Sequence, residues 1–212
     1  MIRLGVLASG RGTNLQALLS AQDEGRLEGR VAVVASDRPE AVALDRARAH
    51  GVPAEFVDPG SKRVHLRPLA EERYLEVLRR YEVEWLVLAG FFRILGPGLL
   101  EAFPGRILNI HPALLPAFPG LHGQRQALEH GVKVAGCTVH LVTAGVDEGP
   151  ILAQAAVPVL DDDTEAALSE RILEQEHRIL VETVNRIARE GFRLEGRIVR
   201  WGRTPPGDRA PA

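Results

Sequence analysis

Apolar positions along the chain follow two rhythms. Short continuous apolar runs bounded by Gly, Pro or Asp occur at Ile2–Ala8, Val31–Ser36, Ala54–Val57, Trp85–Ala89 and around Ile107-Leu108-Ile110. Such runs predict buried strands. Between them the spacing becomes helical. Leu15, Leu18 and Leu19 follow the first strand, a helix over residues 40–50 is capped by Asp37-Arg-Pro39 and ended by Gly51, and another begins near Pro68 and reaches Tyr81. Strands alternating with helices predict a parallel sheet that binds ligands beyond its strand C-termini. The loops at residues 10–14, 90–95 and 109–123 then share one end of the sheet.

After residue 123 the rhythm changes. A short helix over 123–130 is stopped by Gly131, and strands at Val134–Val142 and Ile151–Pro158 are joined by the turn-rich loop Thr143–Pro150. Two strands joined by a loop predict an antiparallel pair. Asp163-Thr-Glu opens a long helix with Leu168, Ile172, Leu173, Ile179, Leu180, Val184 and Ile187 on its apolar face, and Gly191 closes it. Phe192–Trp201 predicts a small hairpin turning at Glu195-Gly196. The fold class is α/β, a mostly parallel central sheet with antiparallel strands in the C-terminal half. Residues 1–203 are expected to form one domain, with halves of about 1–105 and 106–203, and 204–212 a disordered tail.

Composition narrows the classes. The 212 residues, 45% hydrophobic and 25% charged, suit one sizeable soluble domain. A net charge of −2 argues against a nucleic-acid binder. The lone Cys137 cannot form an intramolecular disulfide, which favours a cytoplasmic home. The apolar N-terminus is too short for a signal core or a membrane span and runs straight into a glycine loop. The oligomeric state is not fixed, and a homodimer is left open.

Three places carry candidate chemistry. Asn109 and His111 alternate on one strand and therefore point the same way, before the prolines Pro112, Pro116 and Pro119. They could act as an acid and an oxyanion donor. On these residues alone, a capped strand leading into a proline-stiffened loop explains them equally well. Ser9-Gly-Arg-Gly-Thr-Asn14 joins a strand to a helix start, where outward N–H groups and the helix dipole favour an anion. Leu15 stands where a dinucleotide fingerprint needs its third glycine, and no G-K-[ST] follows, so a monophosphate is the better expectation. Asp147, in a Gly/Pro-bounded loop, would orient His111 and favour its protonated form if placed beside it. Asn, protonatable His and Asp suit acyl transfer to an amine. The remaining histidines have no H-x-x-x-H spacing and no metal is expected. No G-x-S-x-G elbow is present.

The stretches Ser9–Gln16, Leu88-Ala-Gly-Phe-Phe-Arg-Ile-Leu95, Leu108-Asn-Ile-His-Pro-Ala-Leu-Leu-Pro116, Phe118-Pro-Gly-Leu-His122, Gly136–His140, Val146-Asp-Glu-Gly-Pro150 and Glu174-Gln-Glu-His177 resemble, in order, the phosphoribosylglycinamide formyltransferases. That resemblance implies a Rossmann-like three-layer formyltransferase fold and 10-formyltetrahydrofolate as formyl donor. It also implies small-molecule substrates, with no nucleic acid or membrane partner. By the same resemblance Gly12, Thr13 and Asn14 hold the phosphate of glycinamide ribonucleotide, and Leu173, Glu174, Gln175 and Glu176 lie against the ribonucleotide. Arg67, Phe92, Arg93, Ile94, Leu95 and Asn109, with Thr143, Ala144, Gly145, Val146 and Asp147, would contact folate. Arg67 rests only on its ungapped distance from Leu88. Asn109, His111 and Asp147 match the catalytic trio.

Related activities are weighed by what the chain lacks. Methionyl-tRNA formyltransferase carries a further RNA-binding domain, and formyltetrahydrofolate deformylase an N-terminal regulatory one. The expectation here is the transferase, in purine biosynthesis, with the deformylase as the alternative. A non-catalytic phosphate- or folate-binding module would not need Asn109, His111 and Asp147 together, and an NAD-binding domain fails on its glycines.

Overall fold

The computed structural model describes residues 1–61 and 63–202. The expected disordered tail at 204–212 lies outside the described residues. Strand β1 (Ile2–Leu7) is the third strand in a seven-stranded sheet of order β3-β2-β1-β4-β5-β6-β7. The strands β2 (Gly29–Ser36), β3 (Ala54–Phe56), β4 (Trp85–Leu88) and β5 (Ile107–His111) run parallel to β1. Strands β6 (Val134–Leu141) and β7 (Ile151–Pro158) then reverse direction in turn, as the loop-joined pair predicted.

Helices cover both faces and separate two cores. Leu4 and Val6 of β1 and Leu108 and Ile110 of β5 pack with α1 (Thr13–Asp23), α2 (Val42–Ala49), α5 (Gly123–Glu129) and α6 (Glu165–Glu190). Leu7 and Ile107 pack on the other side with α3 (Pro68–Arg80) and α4 (Pro97–Ala102). Because side chains alternate along a strand, Asn109 and His111 share the side of Ile107. A small sheet of β8 (Phe192–Glu195) and β9 (Ile198–Trp201) follows α6. Its Phe192 ring meets Trp85 edge-on at 6.2 Å, and the Arg186 guanidinium lies 4.2 Å from the Trp201 ring. No helix among the described residues is long and apolar enough to cross a membrane.

Several local expectations change. Asp37 does not cap α2: Ala41 precedes that helix without a side-chain cap, and Asp37 is buried in an ion pair with Arg93. The hairpin turns at Gly196-Arg197, one residue later than expected, with Gly196 at φ 60°. Thr164 caps α6 by accepting the Ala167 N–H at 3.1 Å, and Pro68 opens α3, both as the sequence predicts.

The short α4 was not foreseen, and its support comes from another helix. Pro97 starts it, and the buried Glu71 carboxylate of α3 accepts the Leu99 N–H at 3.3 Å. An anion against the first turn satisfies a free donor and meets the positive end of the helix. Replacing Glu71 by Ala is expected to lower unfolding free energy by about 1–2 kcal/mol. Urea titration checks this, and an unchanged midpoint would remove the capping role.

Candidate active site

Strand β5 presents Asn109 and His111 on the side of α3 and α4. In the antiparallel register with β6, His140 lies opposite Asn109 and Thr138 opposite His111. Four polar strand residues are thereby gathered by two-residue periodicity. The chain from β6 to β7 closes on itself through the Leu141 N–H donating to the Pro150 carbonyl at 2.9 Å, and it brings Asp147 over this cluster. Gly149 permits that closure, since a Cβ there would stand 1.7 Å from the Leu141 carbonyl oxygen. Asp147 itself adopts φ 54°, a left-handed conformation costly for a non-glycine residue and found where structure is built around a function.

The Asp147 carboxylate is the meeting point. Its Oδ2 accepts the Gly120 N–H at 2.8 Å and lies 3.4 Å from His111 Nδ1. Its Oδ1 lies 3.5 Å from His140 Nε2 and 3.4 Å from Asn109 Nδ2. Burial pushes this carboxyl up, but the His140 contact, the Gly120 N–H and the charges of the two histidines outweigh it and hold it below the usual carboxylate range. His111, only 4% exposed, also donates from Nε2 to the Phe118 carbonyl at 2.9 Å.

The proline-rich wall has its own anchor. The buried Thr138 hydroxyl donates to the Ala113 carbonyl at 2.7 Å and accepts the Leu115 N–H at 3.1 Å, while Gln154 Nε2 donates to the Leu115 carbonyl at 2.8 Å. Thr138 and His140 fall within the Gly136–His140 stretch of the resemblance but receive no role from it, and Gln154 lies outside every stretch that resembles the family. Their signal was the alternation Thr138, His140 on a strand expected to pair beside Asn109 and His111, readable only once the register is known.

The glycine loop turns on Gly12, which precedes α1 at φ 67°, and a Cβ there would lie 2.8 Å from Ala43 Cβ. Neither Thr13 nor Asn14 caps the helix. Thr13 is its first residue, and Asn14 turns inward to donate from Nδ2 to Glu176 Oε2 at 2.7 Å. Glu176 alone among residues 173–176 is buried; Glu174 is exposed and Gln175 accepts from Arg178. Burial drives the Glu176 carboxyl up to about 7, against the opposing Asn14 hydrogen bond.

The two loops at the sheet's end are joined. Ser9 donates its N–H to the Gly90 carbonyl at 2.9 Å, and its Oγ accepts the Phe92 N–H at 3.0 Å. Arg67 is exposed immediately before α3, next to Leu66, whose N–H donates to the Ile94 carbonyl at 3.0 Å. Phe92 is exposed, Leu95 is buried in the α3-side core, and the Arg93 guanidinium is committed to Asp37 Oδ2 at 2.7 Å and the Ser61 carbonyl at 2.9 Å. Thr143, Ala144 and Val146 line the exposed side of the Asp147 loop, with Gly145 half-buried between them.

An anion-competent glycine turn and a largely buried Asn–His–Asp cluster at the same end of the parallel strands suit an acyl-group transferase, and comparison with known proteins specifies the acyl group. The family model described as formyl transferase matches residues 2–184, and the chain belongs to that family. A relative from Mycobacterium tuberculosis named phosphoribosylglycinamide formyltransferase is 48% identical over 204 residues, covering 95% of this chain and 92% of the relative. The crystal structure of glycinamide ribonucleotide transformylase 1 from Symbiobacterium toebii superposes with a TM-score of 0.90 at 57% identity, over 96% of this chain and 95% of that one. A formyltetrahydrofolate deformylase from Pseudomonas syringae is further away, at 25% identity and TM-score 0.86, with 95% of this chain matching 66% of its length.

Glu176 makes a prediction about the free protein. Its folded-state pKa of about 7 exceeds the ordinary value of 4.5, so its stabilising contribution is complete below about pH 4.5 and lost as pH rises through about 7. Glu176→Gln removes this penalty. Its gain over wild type at pH 8 is expected to be on the order of 3 kcal/mol and to vanish near pH 4.5. Thermal melts across that range check it, and a pH-independent difference would contradict it.

Proposed function

We propose that this enzyme transfers the formyl group of 10-formyltetrahydrofolate to the amine of 5-phosphoribosylglycinamide in purine biosynthesis, giving the N-formyl product and tetrahydrofolate. The observation that carries the reading is the Asp147 carboxylate shared by His111, His140 and Asn109, at the same end of the sheet as the glycine loop. Residues 1–203 act as one domain in this reading, since both halves furnish the site. The enzyme works in the cytoplasm on small molecules, and a homodimer is compatible with it.

The nucleotide phosphate sits against Gly12, Thr13 and Asn14 at the start of α1, where N–H groups and helix dipole favour an anion. Glu176, with Leu173, Glu174 and Gln175 beside it, lies toward the ribose. Phe92, Arg93, Ile94 and Leu95, with Arg67, form one wall for folate, and Thr143–Asp147 forms the other. Arg93 contributes through its backbone, because its guanidinium holds Asp37.

The amine attacks the formyl carbon. Asn109 and protonated His111 stabilise the tetrahedral oxyanion, which stays close to dipoles fixed in advance. The C–N bond to folate then breaks, and a proton from His111 goes to the departing nitrogen while the attacking nitrogen releases one. Asp147 keeps the His111 ring oriented before and after it gives up the proton. The Phe118 carbonyl now accepts the Nε2 proton of His111, and the reacting group takes over that place. The wall of residues 112–119, pinned by Thr138 and Gln154, keeps water from competing with the amine.

Tetrahydrofolate formation measured with and without glycinamide ribonucleotide tests the activity. Release that depends on the nucleotide and matches N-formyl product one for one is expected. Equal release without it would establish a deformylase instead.

A further inference from the structure

His140 is 2% exposed and placed opposite Asn109, yet the mechanism above gives it no task. Its contacts constrain its protons. Nδ1 lies 2.9 Å from the Leu141 carbonyl oxygen, which can only accept, so Nδ1 carries a hydrogen. Nε2 lies 3.1 Å from the terminal amide of Asn109 and 3.5 Å from Asp147 Oδ1.

A carboxamide keeps its shape after a half-turn about its last bond, with donor and acceptor exchanged. When His140 is neutral, its bare Nε2 must accept from Asn109 Nδ2. Both hydrogens of that nitrogen then point inward, to His140 and to Asp147 at 3.4 Å. The atom left facing the reaction is the amide oxygen, which repels a developing oxyanion. When Nε2 is protonated the amide oxygen turns to it, the charged ring replaces the carboxamide as the donor to Asp147, and the NH2 group faces outward.

We propose that His140 is a positioning residue for Asn109: protonated on both ring nitrogens, it holds the carboxamide with its NH2 toward the reacting carbonyl. This rests on the oxyanion role of Asn109 in the function proposed above. The titratable groups facing His140 are Asp147 from the β6–β7 loop and, across that carboxylate, His111 from β5. Asp147 remains ionised throughout the neutral range because its carboxyl is held low, so one buried anion balances the ring. The placement explains why a second histidine converges on a carboxylate already engaged by the first.

Steady-state kinetics of His140 variants, alone and combined with Asn109→Ala, test the proposal. His140→Ala should lower kcat on the order of 100-fold, with KM for both substrates changed less than about threefold. His140→Gln can place an uncharged NH2 donor at the Nε2 position, where the adjacent Asp147 carboxylate favours it over the amide oxygen, and it should recover most of kcat. In the Asn109→Ala background, removing His140 should cost nothing further. Full additivity, an unimpaired His140→Ala, or a glutamine variant as poor as alanine would overturn it. Should His140 variants fail to fold, ¹⁵N spectra of the wild type with glycinamide ribonucleotide and a non-transferring folate analogue decide: two protonated ring nitrogens support the proposal, one refutes it. A wild type with no nucleotide-dependent transfer would instead sink the functional reading itself.

Discussion

A carboxylate taken out of water must be surrounded by donors, and Asp147 meets that demand with a backbone N–H, two imidazoles and a carboxamide. The requirement runs outward through the structure. Gly120 must be brought in by the proline-bearing wall, His111 and Asn109 must share a strand side, and β6 must run antiparallel to bring His140 level with Asn109. The loop carrying Asp147 must in turn fold tightly enough that only glycine fits at position 149. Stability and chemistry here depend on the same contacts.

The sheet topology puts this cluster within reach of a nucleotide. Strand order reverses direction of travel between β1 and β4, and ligands of open α/β sheets bind at such a crevice. The loop after β1 and the loop after β4 touch there through Ser9, Gly90 and Phe92. An anion site at the start of α1 is thus joined by hydrogen bonds to the wall proposed for folate. A long α6 closes the arrangement from below, with Glu176 reaching Asn14 across 162 positions of sequence.

Periodicity made most of this legible. Every strand of the large sheet announced itself as an apolar run, and the alternation Asn109, His111 already implied a shared direction. Motif order pointed to formyl transfer before any coordinates. What escaped were features that depend on pairing between distant segments. His140 looked like one more strand histidine, because its meaning lies in the register with β5. Asp37 reads as a cap by its position before a helix, yet Arg93, 56 positions later, claims it. The helix α4 is too short to show a period, and it owes its start to a glutamate on another helix. Local chemistry shows in the sequence, whereas partners chosen by the tertiary fold do not.

The central claim is that the charge of Asp147 holds the reacting groups in place, and Asp147→Asn tests it most directly because it removes the charge and little else. Both enzymes should lose activity as acid protonates the substrate amine, and the wild type should show a further loss as Asp147 becomes protonated, below the ordinary carboxylate range. The variant should lack that further limb and turn over on the order of 1,000-fold more slowly at neutral pH, with KM values changed far less than kcat. An Asp147→Asn enzyme with wild-type kcat and an unaltered pH profile would contradict the account.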